Sequence, residues 1–205
     1  MSSKIHALFL DVGGVLLTNG WDRHSRKLAA STFGFDYAEM DERHHLTYDT
    51  YESGKINLGT YLERIVFFRP RSFSKEDFTK FMFDQSKPHS DMIAFCKELK
   101  TKHHLKVGVI SNEAREVNEY RIEKFGLGSF VDFFVSSCFV HLRKPDEDIF
   151  KLALDMVQVD PSACVYVDDR PLFVEVARKL GMSSIHHQNL ETTRQALESH
   201  GLSLK

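Results

Sequence analysis

Short unbroken apolar runs recur along the chain, and each stops at turn residues. Residues 5–10 (IHALFL) stop at Asp11, residues 106–110 (KVGVI) at Ser111 and Asn112, and residues 164–167 (CVYV) at Asp168 and Asp169. Residues 133–135 form a further run and residues 184–186 a weaker one. Runs without apolar–polar alternation suit strands covered on both faces, as in a parallel sheet. Helical spacing fills the gaps between them. Residues 90–100 place Met92, Ile93, Phe95, Cys96 and Leu99 on one side. Residues 113–125 end at Gly126, residues 146–157 follow Pro145, and residues 171–180 end at Gly181. Glycine just past a helix is a common stop, because it takes a left-handed backbone without strain. Strand–helix alternation over residues 90–190 predicts βαβ units: an α/β protein of three layers around an open, Rossmann-like parallel sheet.

Residues 18–86 break the alternation. Their spacing predicts amphipathic helices over 22–33, 36–46, 57–67 and 74–85, with no strand between them. Asn57 is placed to cap the third, and Ser74 with Asp77 to cap the fourth. The segment is rich in Phe and Tyr and closes at 86–88. The chain therefore reads as a discontinuous core, residues 1–17 and 87–205, interrupted by a small all-helical insert, residues 18–86.

Composition narrows the function. The 205 residues carry a formal net charge of −2, which gives no electrostatic footprint for generic nucleic-acid binding. No apolar run reaches the roughly 18 residues of a membrane span. The first six residues carry no signal-peptide pattern. Cys96, Cys138 and Cys164 are odd in number, lie far apart and form no C-x-x-C pair. They read as buried thiols of a cytoplasmic protein. The histidine pairs at 44–45, 103–104 and 186–187 lack H-E-x-x-H spacing and are expected at the surface. Residues 64–73 (RIVFFRPRSF) mix basic and aromatic side chains and read as a helix end and loop rather than a stacking patch for bases. Arg64, Arg69 and Arg71 stay open as contacts for an anionic substrate. The sequence is compatible with a monomer or a homodimer.

Four segments carry candidate chemistry: Asp11-Val12-Gly13-Gly14, Ser111-Asn112, Lys144-Pro145 and Asp168-Asp169. Three sit at the carboxyl ends of predicted strands, where open α/β sheets bind ligands. Together they suit phosphoryl transfer. Asp11 is a candidate nucleophile toward phosphorus. Asp168 and Asp169 offer hard oxygen ligands to a magnesium ion, which lets carboxylate and phosphate approach each other. Lys144 balances the carboxylates and stabilises phosphoryl charge. Ser111 and the amides around Gly13, Gly14 and Asn112 offer hydrogen bonds to phosphate oxygens.

These segments resemble, in order, the four motifs of the haloacid dehalogenase superfamily. RKPDEDIFKLAL and VYVDDRPLFVEVARKLGM are similar to its third and fourth motif regions, and residues 51–65 (YESGKINLGTYLERI) to its small helical cap. The resemblance covers nearly the whole chain. It implies a Rossmann-like core in which the Asp11 strand lies between those ending at Ser111 and at Asp168. It also implies phosphate monoester hydrolysis through an aspartyl-phosphate. The ligands of Mg2+ would be Asp11, the Gly13 carbonyl, Asp169 directly and Asp168 directly or through water. The partner would be a small phosphorylated metabolite, with no nucleic acid and no membrane.

One position departs from the pattern. Phosphatases of this superfamily carry a second Asp two residues after the nucleophile, where this chain has Gly13. General acid–base help is worth about 10²–10⁴ in rate. DVGGVL resembles the form of this motif in sugar-phosphate phosphatases near α-D-glucose-1-phosphate phosphatase, which also lack that Asp. Asp22, His24 and Glu52 are candidate replacements. The alternatives are a weak or inactive phosphate-binding protein and, less favoured, a dehalogenase. Two extra acids suit a cation but repel the carboxylate substrate of a dehalogenase.

Overall fold

A computed structural model describes residues 4–204. Met1–Ser3, part of the segment read as lacking a leader, lie outside the described residues, as does Lys205. Five parallel strands form one sheet: β1 (Ala7–Leu10), β2 (Lys106–Ser111), β3 (Phe133–Ser136), β4 (Cys164–Asp168) and β5 (Ser183–His186), in the order β3-β2-β1-β4-β5. The Asp11 strand is thus central, between the strands that end at Ser111 and Asp168, as the resemblance implies. Leu10 pairs with Val109 on one side and Val167 on the other. The carboxyl ends of β1, β2 and β4 are therefore level.

Five helices lie between β1 and β2: α1 (Arg23–Phe33), α2 (Tyr37–Glu52), α3 (Leu58–Ile65), α4 (Lys75–Asp84) and α5 (Ser90–His103). The rest are α6 (Arg115–Lys124), α7 (Ser137–Val140), α8 (Glu147–Val157), α9 (Pro171–Lys179) and α10 (Leu190–Ser199). Alternate strand residues feed opposite layers, as the period of two requires. Leu8, Leu10, Val107 and Val165 pack with Phe95, Leu99 and Leu197 from α5 and α10. Phe9, Ile110 and Tyr166 pack with Phe150 and Ala177 from α8 and α9. Covering both faces is why these strands carry no polar alternation.

The first four helices share a second apolar cluster, in which Trp21, Tyr51, Tyr61, Leu62 and Phe78 are buried together with Ala114 and Val117 at the start of α6. Asp22, Asp36, Asn57 and Ser74 each cap one of them by accepting from the backbone three residues on. Ser74 also donates to Asp77 at 2.7 Å. The chain leaves and re-enters the core through adjacent linkers, with Leu17 bridged to Pro88 and Thr18 donating to the Lys87 carbonyl at 2.9 Å.

Several expectations are corrected. The second helix runs on to Glu52 rather than ending at 46. Its last turns are built from Thr, Tyr and Asp, which have low helix propensity, and burial of Thr47, Tyr51 and Glu52 holds them. The last helix and the one-turn α7 were not among the expected elements. His44 and His187 are buried, not superficial. His44 contacts the Tyr61 hydroxyl at 2.7 Å, and burial pushes its pKa down to about 3, so it is neutral. Residues 64–73 are the end of α3 and a loop, as expected, and in that loop Phe68 lies under Arg43, with the guanidinium carbon 3.6 Å from its ring centroid. All three cysteines are buried and unpaired. Among the described residues no helix is long and apolar enough to cross a membrane.

Candidate active site

The level strand ends bring Asp11, Ser111 and Asp168 to one place. All three are buried, as is Lys144. The Lys144 ammonium lies 2.6 Å from Asp168 Oδ2 and 3.1 Å from Asp11 Oδ1, between the two strands. Asp168 is held at both oxygens. Its Oδ2 also accepts from the Tyr166 hydroxyl, and its Oδ1 accepts from the Arg170 backbone at 2.7 Å. Burial opposes the charge on Lys144, but Asp11 and Asp168 outweigh it and hold the pKa above the ordinary lysine value. Burial raises the Asp11 pKa to about 7, against the pull of Lys144, and repulsion from Asp168 adds to the rise.

Lys144 is aimed by Asn112. The Asn112 amide donates to the Lys144 carbonyl at 2.9 Å and accepts from the Lys144 N–H at 2.8 Å. The Asn112 side chain therefore acts on the lysine and not on a ligand. Gly14 also needs correction as a phosphate donor, because its N–H donates to the Leu17 carbonyl at 2.7 Å. What Gly14 supplies is room. Its φ is +77°, and a Cβ there would lie 2.3 Å from Asp169 Oδ2. Only glycine lets that carboxylate pack over the turn. Gly13 stays outside the turn's backbone hydrogen bonds, so its amide and carbonyl remain available.

The donor set fits a divalent cation. Asp11, Asp168 and Asp169 each present an oxygen within 4.8 Å of the others. Asp11 Oδ1 and Asp169 Oδ1 are buried and face cations, Lys144 at 3.1 Å and Arg170 at 3.7 Å, without an aligned hydrogen bond. Three carboxylates face Lys144 and the more exposed Arg170, and the buried excess of negative charge suits a cation. Asp11 and Asp169 thus keep lone pairs for a cation, whereas Asp168 gives Oδ2 to Lys144 and Tyr166 and has Oδ1 held by the Arg170 backbone.

These groups open onto a cavity of 840 Å³, walled by Trp21, Tyr48 and Glu52 from the helical segment and by Glu113, Arg143 and Lys144 from the core. The proposed acid–base replacements fare differently. Asp22 reaches the wall, but its carboxylate caps α1. His24 is exposed and lies off the cavity, as do Arg64, Arg69 and Arg71. Glu52 is buried and paired with Arg143. Sequence reading missed Glu113, which stands right after the Ser111-Asn112 pair. Its signal is that position alone.

Comparison with known proteins agrees with this geometry. A family model described as haloacid dehalogenase-like hydrolase matches residues 5–181. Bifunctional epoxide hydrolase 2 of Sus scrofa is 37% identical over 67 residues, covering 33% of this chain but only 12% of that protein. A predicted HAD-like hydrolase from Porphyromonas gingivalis superposes with a TM-score of 0.78 at 20% identity, over 96% of this chain and 98% of the other. A HAD family enzyme from Bacteroides thetaiotaomicron, solved with magnesium and inorganic phosphate, gives 0.76 at 20% identity over 90% and 94%. The chain belongs to the haloacid dehalogenase-like hydrolases.

Proposed function

We propose that the protein is a magnesium-dependent phosphatase acting on a small phosphorylated metabolite, such as a sugar phosphate, through a covalent aspartyl-phosphate on Asp11. The observation that carries this reading is the buried Asp11 carboxylate flanked by Lys144 and by two further acids beside a cavity of 840 Å³. The magnesium-and-phosphate complex of the Bacteroides thetaiotaomicron relative supports it. A cavity of 840 Å³ suits a small molecule rather than a polymer.

The residues divide the work. Asp11 attacks phosphorus, the phosphoryl group passes to its carboxylate oxygen, and water later displaces it. Lys144 neutralises Asp11 and the incoming phosphoryl oxygens. Ser111 and the Gly13 amide are placed to donate to those oxygens. Magnesium, held by Asp11, Asp169 and the Gly13 carbonyl, would supply the charge that brings two anions together. Residues 18–86 act as the cap that closes over the site, shuts out bulk water and selects the leaving group.

The test is phosphate release from a panel of alkyl, aryl and sugar phosphates, with magnesium and with EDTA. Release that needs magnesium and is lost in Asp11→Asn supports the reading. Phosphate binding without release points to a binding protein, and halide release without metal points to a dehalogenase.

A further inference from the structure

The space in front of Gly13 is filled by side chains from elsewhere. A Cβ built on Gly13 would lie 3.0 Å from Asn19 Oδ1 and 3.8 Å from Glu113 Oε1. Of these two, only the glutamate can exchange a proton. Glu113 is 5% exposed, and what remains open faces the cavity that Asp11, Ser111 and Lys144 also line. We propose that Glu113 is the general acid–base of this site, standing in space where the usual second Asp is missing in sequence.

Its setting is that of a held proton carrier. The Glu113 backbone donates to Ser137 Oγ at 3.0 Å, which fixes the residue ahead of α6. Arg121, two turns along α6, donates to Glu113 Oε1 at 2.5 Å. Arg121 is itself pinned by Ser86 Oγ at 2.9 Å, on the returning linker. A carboxylate oriented by a third group follows the usual logic of a catalytic base. Burial raises the Glu113 pKa, and the Arg121 and Lys144 charges restrain the rise. The charged and titratable groups facing Glu113 are Arg121, Lys144, Glu52, Tyr48 and Cys138.

The proton balance closes over one turnover. Asp11 forms the O–P bond as the ester O–P bond breaks, and the leaving alkoxide takes the proton of Glu113. Water then gives its proton to the Glu113 carboxylate as its oxygen attacks phosphorus. The Asp11–phosphorus bond breaks, and inorganic phosphate leaves with Glu113 protonated again.

This inference rests on the phosphatase reading, and the experiment separates the two. Wild type, Asp11→Asn, Glu113→Gln, Glu113→Asp and Glu113→Gln with Gly13→Asp are assayed with magnesium on an alkyl phosphate and on p-nitrophenyl phosphate, across pH. Melting curves show that each variant is folded. Glu113→Gln should lose about 10²–10³ in kcat on the alkyl phosphate, lose the alkaline limb of its pH profile and lose less in forming the phosphoenzyme from the aryl ester, whose leaving group needs little protonation. Glu113→Asp should fall between. Gly13→Asp should restore at least about tenfold in the Glu113→Gln background, because the new carboxylate enters the same space. Near wild-type kcat and an unchanged pH profile in folded Glu113→Gln overturn the inference and leave the phosphatase reading standing, provided Asp11→Asn is dead. If the wild type releases no phosphate from any ester, both fail.

Discussion

Lys144 and Asp168 form an ion pair of 2.6 Å that is sealed from solvent, the lysine side chain being 1% exposed and the aspartate 0%. The same ammonium lies 3.1 Å from Asp11, so one cation answers two buried carboxylates. Removing it strands both charges. Lys144→Met is expected to cost about 3–5 kcal/mol of stability at pH 8 and to abolish turnover. Magnesium should recover part of the lost stability, as a shift in the urea midpoint would show.

Asp11→Asn should separate stability from function. The folded-state pKa of Asp11 is about 7, against 3.8 for the free carboxyl. Between those values the folded state binds more protons than the unfolded one, so stability falls as pH rises through that window. The asparagine lacks this penalty. In the cation-free protein the variant should match wild type near pH 4 and exceed it by about 1–3 kcal/mol at pH 8, while losing catalysis. Chemical denaturation at the two pH values measures the difference.

Gly14→Ala tests the metal cradle. The added methyl meets the Asp169 carboxylate at a backbone φ of +77°, so both the turn and the ligand must move. Magnesium affinity should drop at least about tenfold, or about 1.4 kcal/mol, by calorimetric titration. Unchanged affinity would remove Asp169 from the ligand set.

Asn112 should behave as a positioning residue. Asn112→Ala deletes two hydrogen bonds to the Lys144 backbone, worth about 1–3 kcal/mol together. The lysine then loses its aim, and kcat should fall more than KM changes. A rise in KM at constant kcat would return Asn112 to substrate binding.

The legible parts of this molecule share one property: their signal lies in consecutive residues. Each central strand is a short apolar run ending in its functional residue, so Asp11, Ser111 and Asp168 could be read together with their place in the sheet. The caps at Asn57 and Ser74 were readable for the same reason. Features made by distant residues were not. The grip of Asn112 on Lys144 spans 32 positions, and the Asp168 bonds that hold the carboxylate come from Lys144, Tyr166 and Arg170. Glu113 approaches Gly13 only after folding, so a search along the chain finds Asp22 and His24 instead. The final turns of α2 were hidden because their stability comes from burial rather than propensity.

The central claim is that Asp11 carries the phosphoryl group. Its most direct test is acid-quenched single turnover with magnesium and a phosphate ester, followed by mass spectrometry of the peptide containing Asp11. The account predicts a transient gain of one phosphoryl group on Asp11, absent in Asp11→Asn and prolonged in Glu113→Gln. Phosphate release by the wild type with no phosphoryl group on Asp11 at any time would contradict it.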